Sequence, residues 1–582
     1  MIVRRLRETA RLLELAGENP FRVRAYENAA RTLEDAPESP EELLEAGRLA
    51  ELPGIGPGLA SAVAELVTSG RLSLAEELEE QIPRGLLELY DLSGLGSKRI
   101  RKLRETLGVS DLHSLEAACR AGRVASLPGF GPRLQETLLA AIAQHQRYRE
   151  RHLLSAAWDQ ADQLMTHFRS IPEFLRFDLA GSLRRGMETI GDLDFVVVPK
   201  GEKPAEELAK ALATEVGGHW GASPGNWLRG SLEGGWRVDV YLAGTHNFGW
   251  ILLQATGPEA FLQTIRERGK EKGFELSQTG LFFPRQPTLA FFEEKSVFEQ
   301  LELPWIPPEL RDLAARGPVS SDADSSLIRF EDLTGTFHVH TNWSDGRASL
   351  SEMAEAACQQ GWSYLGIADH SQSAGYAGGL SPERVWSQWE AIATWNQSHP
   401  ELLVFRGIEA DILPDGSLDY EDDLLLGFDF VVASIHSRLH LGREKMTERL
   451  IRAVEHPAVT FLGHPSGRLL LQREPYDADL PSVFEAARRA GVVVELNASP
   501  YRLDADWRLL SEHLAAGGLI SIHPDAHSVR GLPDVRFGVM MARKAGASRH
   551  QVLNTWPREQ VQEFLKERRE RARQKLSSKR TL

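Results

Sequence analysis

Apolar residues in the first third of the chain recur at helical spacing, and three segments there share one frame. They are Leu52-Pro53-Gly54-Ile55-Gly56, Leu92-Ser93-Gly94-Leu95-Gly96 and Leu127-Pro128-Gly129-Phe130-Gly131. Each precedes an amphipathic stretch, so the pattern predicts three helical hairpins with a Gly-x-Gly turn. Farther on the period changes. Phe195-Val196-Val197-Val198 reads as a buried strand entered by Asp192 and Asp194, alternate residues that share a face. Trp236 to Leu242 reads as a second strand, and its pairing beside the first would add Asp239 to the same cluster. From residue 336 onward, β-rich runs alternate with amphipathic helical stretches about every thirty residues, which implies a parallel βα array.

Three carboxylates crowded together repel unless cations sit between them. Two Mg²⁺ ions about 3.5 to 4 Å apart satisfy that charge and stabilise both oxygens of an in-line phosphoryl transfer. The small residues Gly181 and Ser182 let backbone amides approach a triphosphate, and Arg185 offers a forked cation. In the βα array the strand endings carry the chemistry: His338-Val339-His340, Asp369-His370, Glu409, His436, His464, Glu495-Leu496-Asn497 and Asp525-Ala526-His527. Such ends converge on one mouth of a barrel. Of the 18 histidines, 12 lie in this segment. Mixed imidazole and carboxylate ligation suits Zn²⁺, Mn²⁺ or Fe²⁺, and phosphoester hydrolysis is the chemistry such a pocket supports.

A chain of 582 residues holds several domains. The net charge of −15 hides local patches such as Lys98-Arg99-Ile100-Arg101-Lys102-Leu103-Arg104, so the total does not exclude nucleic acid. Cys119 and Cys358 are the only cysteines, which argues for a reducing compartment. No signal peptide or membrane span is legible, and the expected setting is cytoplasmic and nucleoid-associated. The turn-rich segment 317–326 reads as a linker, and the basic stretch Lys566 to Lys575 is a helical face open to solvent or DNA.

Gly181-Ser182-Leu183-Arg184-Arg185-Gly186, Gly191-Asp192-Leu193-Asp194 and Arg237-Val238-Asp239 resemble the family X DNA polymerases, the polymerase beta type. The segment from 336 resembles the polymerase and histidinol phosphatase (PHP) domain. The resemblance implies a multidomain α+β and α/β chain. It comprises a helical amino-terminal domain over 1–85, a helical DNA-binding domain over 86–150, a nucleotidyltransferase palm over 151–245 and a thumb over 246–316. A linker over 317–335 then leads to a distorted (β/α)7 PHP barrel over 336–575.

By the same resemblance Asp192, Asp194 and Asp239 hold Mg²⁺ or Mn²⁺, with Asp239 assisting deprotonation of the primer 3′-OH, and Gly181, Ser182, Arg185 and Gly191 hold the triphosphate. Gly54, Gly56, Gly94, Gly96, Gly129, Gly131, Lys98, Arg237 and Arg266 contact DNA. His338, His340, Asp345, His370, Glu409, His436, His464, Asp525 and His527 hold three divalent metals, with Glu409 bridging. His523 intrudes on that site by strand parity, and His440 and Asn497 lie behind the ligands or face substrate.

The implied activities are short-gap synthesis in DNA repair and 3′ to 5′ hydrolysis, together with abasic-site incision. Gapped or primed duplex DNA, dNTPs and other repair proteins are the implied partners. Gly58-Leu59-Ala60-Ser61-Ala62 has no lysine where lyase-active relatives carry one, so no Schiff-base lyase is expected. Gln254 and Ala255 replace an aromatic pair and Leu262 an asparagine, so weak exclusion of ribonucleotides is expected. Two rival readings keep the fold: a polymerase reduced to a DNA clamp, and a PHP domain acting on small phosphate esters.

Overall fold

The computed structural model describes every residue except 1, 37, 93, 149, 278, 279, 283–288, 318–322 and 581–582. The chain forms two compact units, Met1–Glu150 and Arg151–Leu582. The first is helical throughout. At its three repeated segments Gly54, Gly94 and Gly129 take φ of 79°, 91° and 87°, a left-handed backbone that glycine adopts without a Cβ penalty. The residue between each glycine pair is buried, Ile55, Leu95 and Phe130 being at most 8% exposed. That apolar residue pins the turn to the core, and its amide donates to the carbonyl of the leucine three residues earlier. Helices Pro57–Ser69, Ser97–Leu107 and Gly131–Tyr148 start at the second glycine or directly after it.

The second unit opens with a five-stranded sheet in the spatial order Phe174–Leu179, Leu193–Pro199, Arg237–Leu242, Trp227–Ser231, His219–Ser223. Leu193–Pro199 and Arg237–Leu242 run parallel, and their register sets Asp194 directly opposite Asp239. The strand begins at Leu193, so Asp192 stands just before it rather than inside it. Phe195 to Val198 are buried, as an unbroken apolar run in a strand covered on both faces requires. Helices Phe248–Thr256, Glu259–Glu271 and Glu294–Gln300 follow and share a small core of Trp250, Leu253, Phe261 and Phe298.

Seven parallel strands in sequence order then form a nearly closed barrel. Thr336 Oγ1 donates to the Ile522 carbonyl at 2.9 Å, and Val339 bridges Ala526, joining the first strand to the last. Phe337, Phe430 and Phe461 fill the interior, their rings 5.0 to 5.7 Å apart. Gly366 and Gly407 make room for them, since a Cβ on Gly407 would stand 2.1 Å from the Phe430 ring. Removing a ring buried in this way costs about 3 to 5 kcal/mol.

Helix Arg558–Arg580 closes the chain and packs on the barrel through Val561 and Leu565. In the basic stretch Lys566, Arg571, Arg573 and Lys575 are exposed, as a solvated face requires, but two arginines are not free. Arg568 donates to the Val459 carbonyl at 2.6 Å and Arg569 pairs with Asp429 at 2.7 Å, so burying the apolar face spends these charges on the barrel. Within the expected linker, 318–322 lie outside the described residues and Ala323–Ser326 is a short helix. Among the described residues no helix is long and apolar enough to cross a membrane.

Candidate active sites

The first site grows from the register of two strands. Asp194 and Asp239 are 9% and 6% exposed and sit side by side, with Asp192 at the entry of the same strand. Burial, then the charges of Asp192 and Asp239, push the Asp194 carboxyl up to about 7. Arg229, paired across from Asp239, forks onto it at 2.9 and 3.0 Å and sets a positive charge against it. With both its oxygens held by Arg229, Asp239 has part of its charge met inside the protein. The mutual repulsion of the aspartates still calls for cations, and the donor set, two carboxylates on adjacent strands and a third just before one of them, fits Mg²⁺ or Mn²⁺.

This electrostatics makes a prediction. Below pH 7 Asp194 keeps its proton in the metal-free protein, and cation binding must displace it. Mg²⁺ affinity at this site should fall about tenfold between pH 8 and pH 6. The sign for stability follows: the folded pKa lies above the ordinary 3.8, so the contribution is present below about pH 4 and lost as pH rises through about 7. Calorimetric Mg²⁺ titration at the two pH values checks this, and equal affinities would contradict it.

Gly181 has φ of 65°, and a Cβ there would fall 1.9 Å from Asp194 Oδ2, so the turn admits only glycine against the carboxylate. Ser182, Arg185 and Gly191 are half-buried beside it. Arg185 Nε donates to Asp312 Oδ2 at 3.1 Å, and its guanidinium also meets the Thr256 carbonyl. Arg184, its neighbour, is bound to Thr256 Oγ1 and Glu294, each at 2.7 Å. Gln254 and Ala255 are half-buried at the end of their helix, whereas Leu262 is buried in the small core behind it. Leu262 therefore acts as packing and not as a contact to nucleotide.

Of the expected DNA contacts, Gly54, Gly56, Gly94, Gly96, Gly129 and Lys98 are exposed and Gly131 is half-buried. Arg99 and Lys102 from the same basic run donate to the Gly94 and Pro128 carbonyls, each at 2.6 Å, and so brace the second and third turns. Arg237 is exposed at the start of its strand, and Arg266 is paired with Glu259. The first lysine of the chain is Lys98, which leaves no amine in the helices where a Schiff base was not expected.

The second site is the barrel mouth, and there all nine expected ligands meet. Glu409 Oε1 lies 3.2, 3.2 and 3.0 Å from His338, His436 and His464, and Oε2 lies 2.9 and 3.7 Å from His370 and His340. Asp525 reaches His340 at 3.2 Å, and Asp345, on the following loop, lies 3.4 Å from His527. His340, Asp345, His370 and His527 form one group of converging ligand atoms, with His338, His340 and Asp525 in a second and His370, Glu409 and His436 in a third.

Burial lowers the imidazoles, yet Glu409, with Asp345 for His370 and Asp411 for His436, outweighs it and raises both. His340 is instead lowered, by burial and by the charges of His527 and His370. Among the described residues, buried ring nitrogens of His338, His340, His370 and His464, and Glu409 Oε2, crowd together at these distances without an aligned hydrogen bond. Orphaned atoms of this kind, aimed at one another, are what cations would satisfy. His338, His464 and Asp525 also hold φ of 56°, 21° and 52°, and strain in non-glycine residues concentrates at functional sites.

Behind these ligands stand carboxylates that sequence reasoning did not assign. Glu495 binds His338 Nδ1 at 2.6 Å and Asp411 binds His436 Nδ1 at 2.5 Å, each leaving the other ring nitrogen toward the pocket. Asp369 accepts from Thr341 N and Oγ1 at 2.8 and 2.7 Å and latches the loop that carries Asp345. Asn497 Nδ2 donates to Asp525 at 3.1 Å, a place behind the ligands as expected, and His440 is exposed. His523 joins the ligand His338 and Glu495 in a fourth group of converging atoms, bound to Glu495 at 3.0 Å and Ser521 at 2.8 Å.

The helix-hairpin-helix domain pattern matches residues 1–72 and the SAM-like helix-hairpin-helix tandem residues 86–144. The DNA polymerase beta thumb matches 251–312 and the PHP domain 336–499. The DNA polymerase/3'-5' exonuclease PolX of Bacillus subtilis (strain 168) is 35% identical over 572 residues, 97% of this chain and 99% of that protein. A probable phosphatase of Thermoanaerobacter sp. (strain X514) is 25% identical over 244 residues, 40% of this chain and 94% of its own. DNA polymerase lambda of Arabidopsis thaliana is 25% identical over 314 residues, 47% of this chain and 55% of its own. With two carboxylate-bearing strands, a histidine-lined barrel and a relative matched from end to end, this chain belongs to the family X DNA polymerases that carry a PHP domain.

Proposed function

We infer that the protein is a repair polymerase that both lengthens and shortens DNA 3′ ends. The observation that carries this is the presence in one compact unit of the Asp194–Asp239 register and a barrel mouth of nine converging ligands. Divalent cations, Mg²⁺ or Mn²⁺ at the sheet and three of Mn²⁺, Zn²⁺ or Fe²⁺ in the barrel, would supply the Lewis acidity for both reactions. Asp192, Asp194 and Asp239 would hold those of the sheet, and Asp239 would take the primer hydroxyl proton. Gly181, Ser182, Arg185 and Gly191 would cradle the triphosphate, and the three glycine turns would grip the DNA backbone. Ala255 in place of an aromatic would leave the sugar weakly discriminated. The parts would divide as the sequence suggests, at 85, 150, 245, 316 and 335. Repair proteins and abasic-site incision belong to the same reading.

The likeness of the barrel to probable phosphatases favours a second reading, hydrolysis of small phosphate esters. Digestion of a 3′-labelled oligonucleotide beside a panel of phosphate monoesters separates the two. The oligonucleotide should be cleaved with the higher kcat/KM by at least about 10²-fold, and preference for a monoester would overturn the assignment.

A further inference from the structure

The barrel meets the polymerase at several points, among them Arg508 with Glu188 at 3.2 Å and Arg543 with Glu309 at 2.9 Å, and one of them reaches the Arg185 turn. Helix Val535–Lys544 of the PHP part packs on the Gly181–Gly186 turn, where a Cβ on Gly186 would stand 3.6 and 3.9 Å from Met540 and Met541. At its end Lys544, fully buried, donates to the Arg185 carbonyl at 3.0 Å and to Asp312 Oδ2 at 2.6 Å. The same Asp312 oxygen accepts from Arg185 Nε. One carboxylate oxygen therefore serves two cations, one from each catalytic half. Trp507, also of the PHP part, closes over Lys544 with its ring 4.8 Å from Nζ.

From this geometry we propose that Lys544 is a positioning residue of the polymerase, setting the charge and place of Arg185 toward the triphosphate of the incoming nucleotide. While Lys544 shares Asp312, the carboxylate orients Arg185 without cancelling its charge. Without Lys544 the full charge of Asp312 falls on Arg185 and competes with the triphosphate. Arg185 would also lose the donor that holds its carbonyl. The inference rests on the reading that Arg185 binds triphosphate, and the two can fail separately.

The test uses the full chain on a gapped duplex, with single-nucleotide insertion followed by KM and kcat. K544M should raise the dNTP KM about tenfold, and the double variant K544M/D312N should bring it back most of the way, which lost packing alone would not do. Hydrolysis of bis(p-nitrophenyl) phosphate by the barrel should stay at the parent rate, showing the PHP part intact. K544Q, which keeps a polar group at the Arg185 carbonyl, takes the place of K544M if that variant does not fold. If R185A leaves the dNTP KM unchanged, the reading of Arg185 fails. If R185A raises KM but K544M and K544Q do not, or D312N gives no rescue, the role of Lys544 fails.

Discussion

Glu409→Gln should abolish 3′-end shortening, by more than about 10³-fold, while primer extension stays near the parent rate. No other side chain in the barrel faces so many partners, since its two oxygens meet five imidazoles at 2.9 to 3.7 Å. It is 1% exposed, so no solvent compensates for the lost charge. Glutamine keeps the shape but brings an amide that donates where the site needs an acceptor. Breaking a buried charge cluster by removing one partner costs about 3 to 5 kcal/mol. The expected signature is therefore a loss of bound metal and a lower melting temperature along with the lost hydrolysis. Metal content by mass spectrometry, thermal melts and digestion of a 3′-labelled strand measure all three. Retained hydrolysis would mean that Glu409 does not hold the reacting centre.

Asp239→Ala should show the reverse pattern, with nucleotide insertion falling by about 10⁴-fold and end-shortening unaffected. Here stability should scarcely change. The ion pair it breaks is with Arg229, whose side chain is 59% exposed, and solvent screens a pair open to it. Removing Asp239 also takes away one of the two carboxylate charges that hold Asp194 up. A variant that melts like the parent yet does not extend a primer locates the chemistry at the aspartates. Equal absence of extension in the parent would instead favour a polymerase reduced to a DNA clamp.

Much of both sites was legible because each depends on a short-range rule. Strand endings in a βα array converge whatever their sequence separation, so the ends of seven apolar runs point to one pocket, and the resemblance to the PHP domain adds Asp345 from a loop. The aspartates follow from alternation along a strand and a single strand pairing. What stayed hidden depends on contacts between distant segments. Glu495 holds His338 across 157 residues and Lys544 reaches Asp312 across 232, and neither has a local pattern that names its partner. Asp411 is different. It lies two residues after Glu409 on a strand, so period-two alternation places it on the ligand face and signals its contact with His436. Along the terminal helix a local rule goes only part of the way, since Arg568 and Arg569 bind the barrel while Lys566, Arg571, Arg573 and Lys575 stay exposed.

One gapped duplex carrying a labelled 3′ end, incubated with dNTPs and each single variant in turn, puts the two-way activity to its most direct test. Asp239→Ala should give only shortened strands, Glu409→Gln only extended ones, and the parent both. Loss of both activities in either variant, or persistence of extension in Asp239→Ala, would contradict two separate and opposed active sites on this chain.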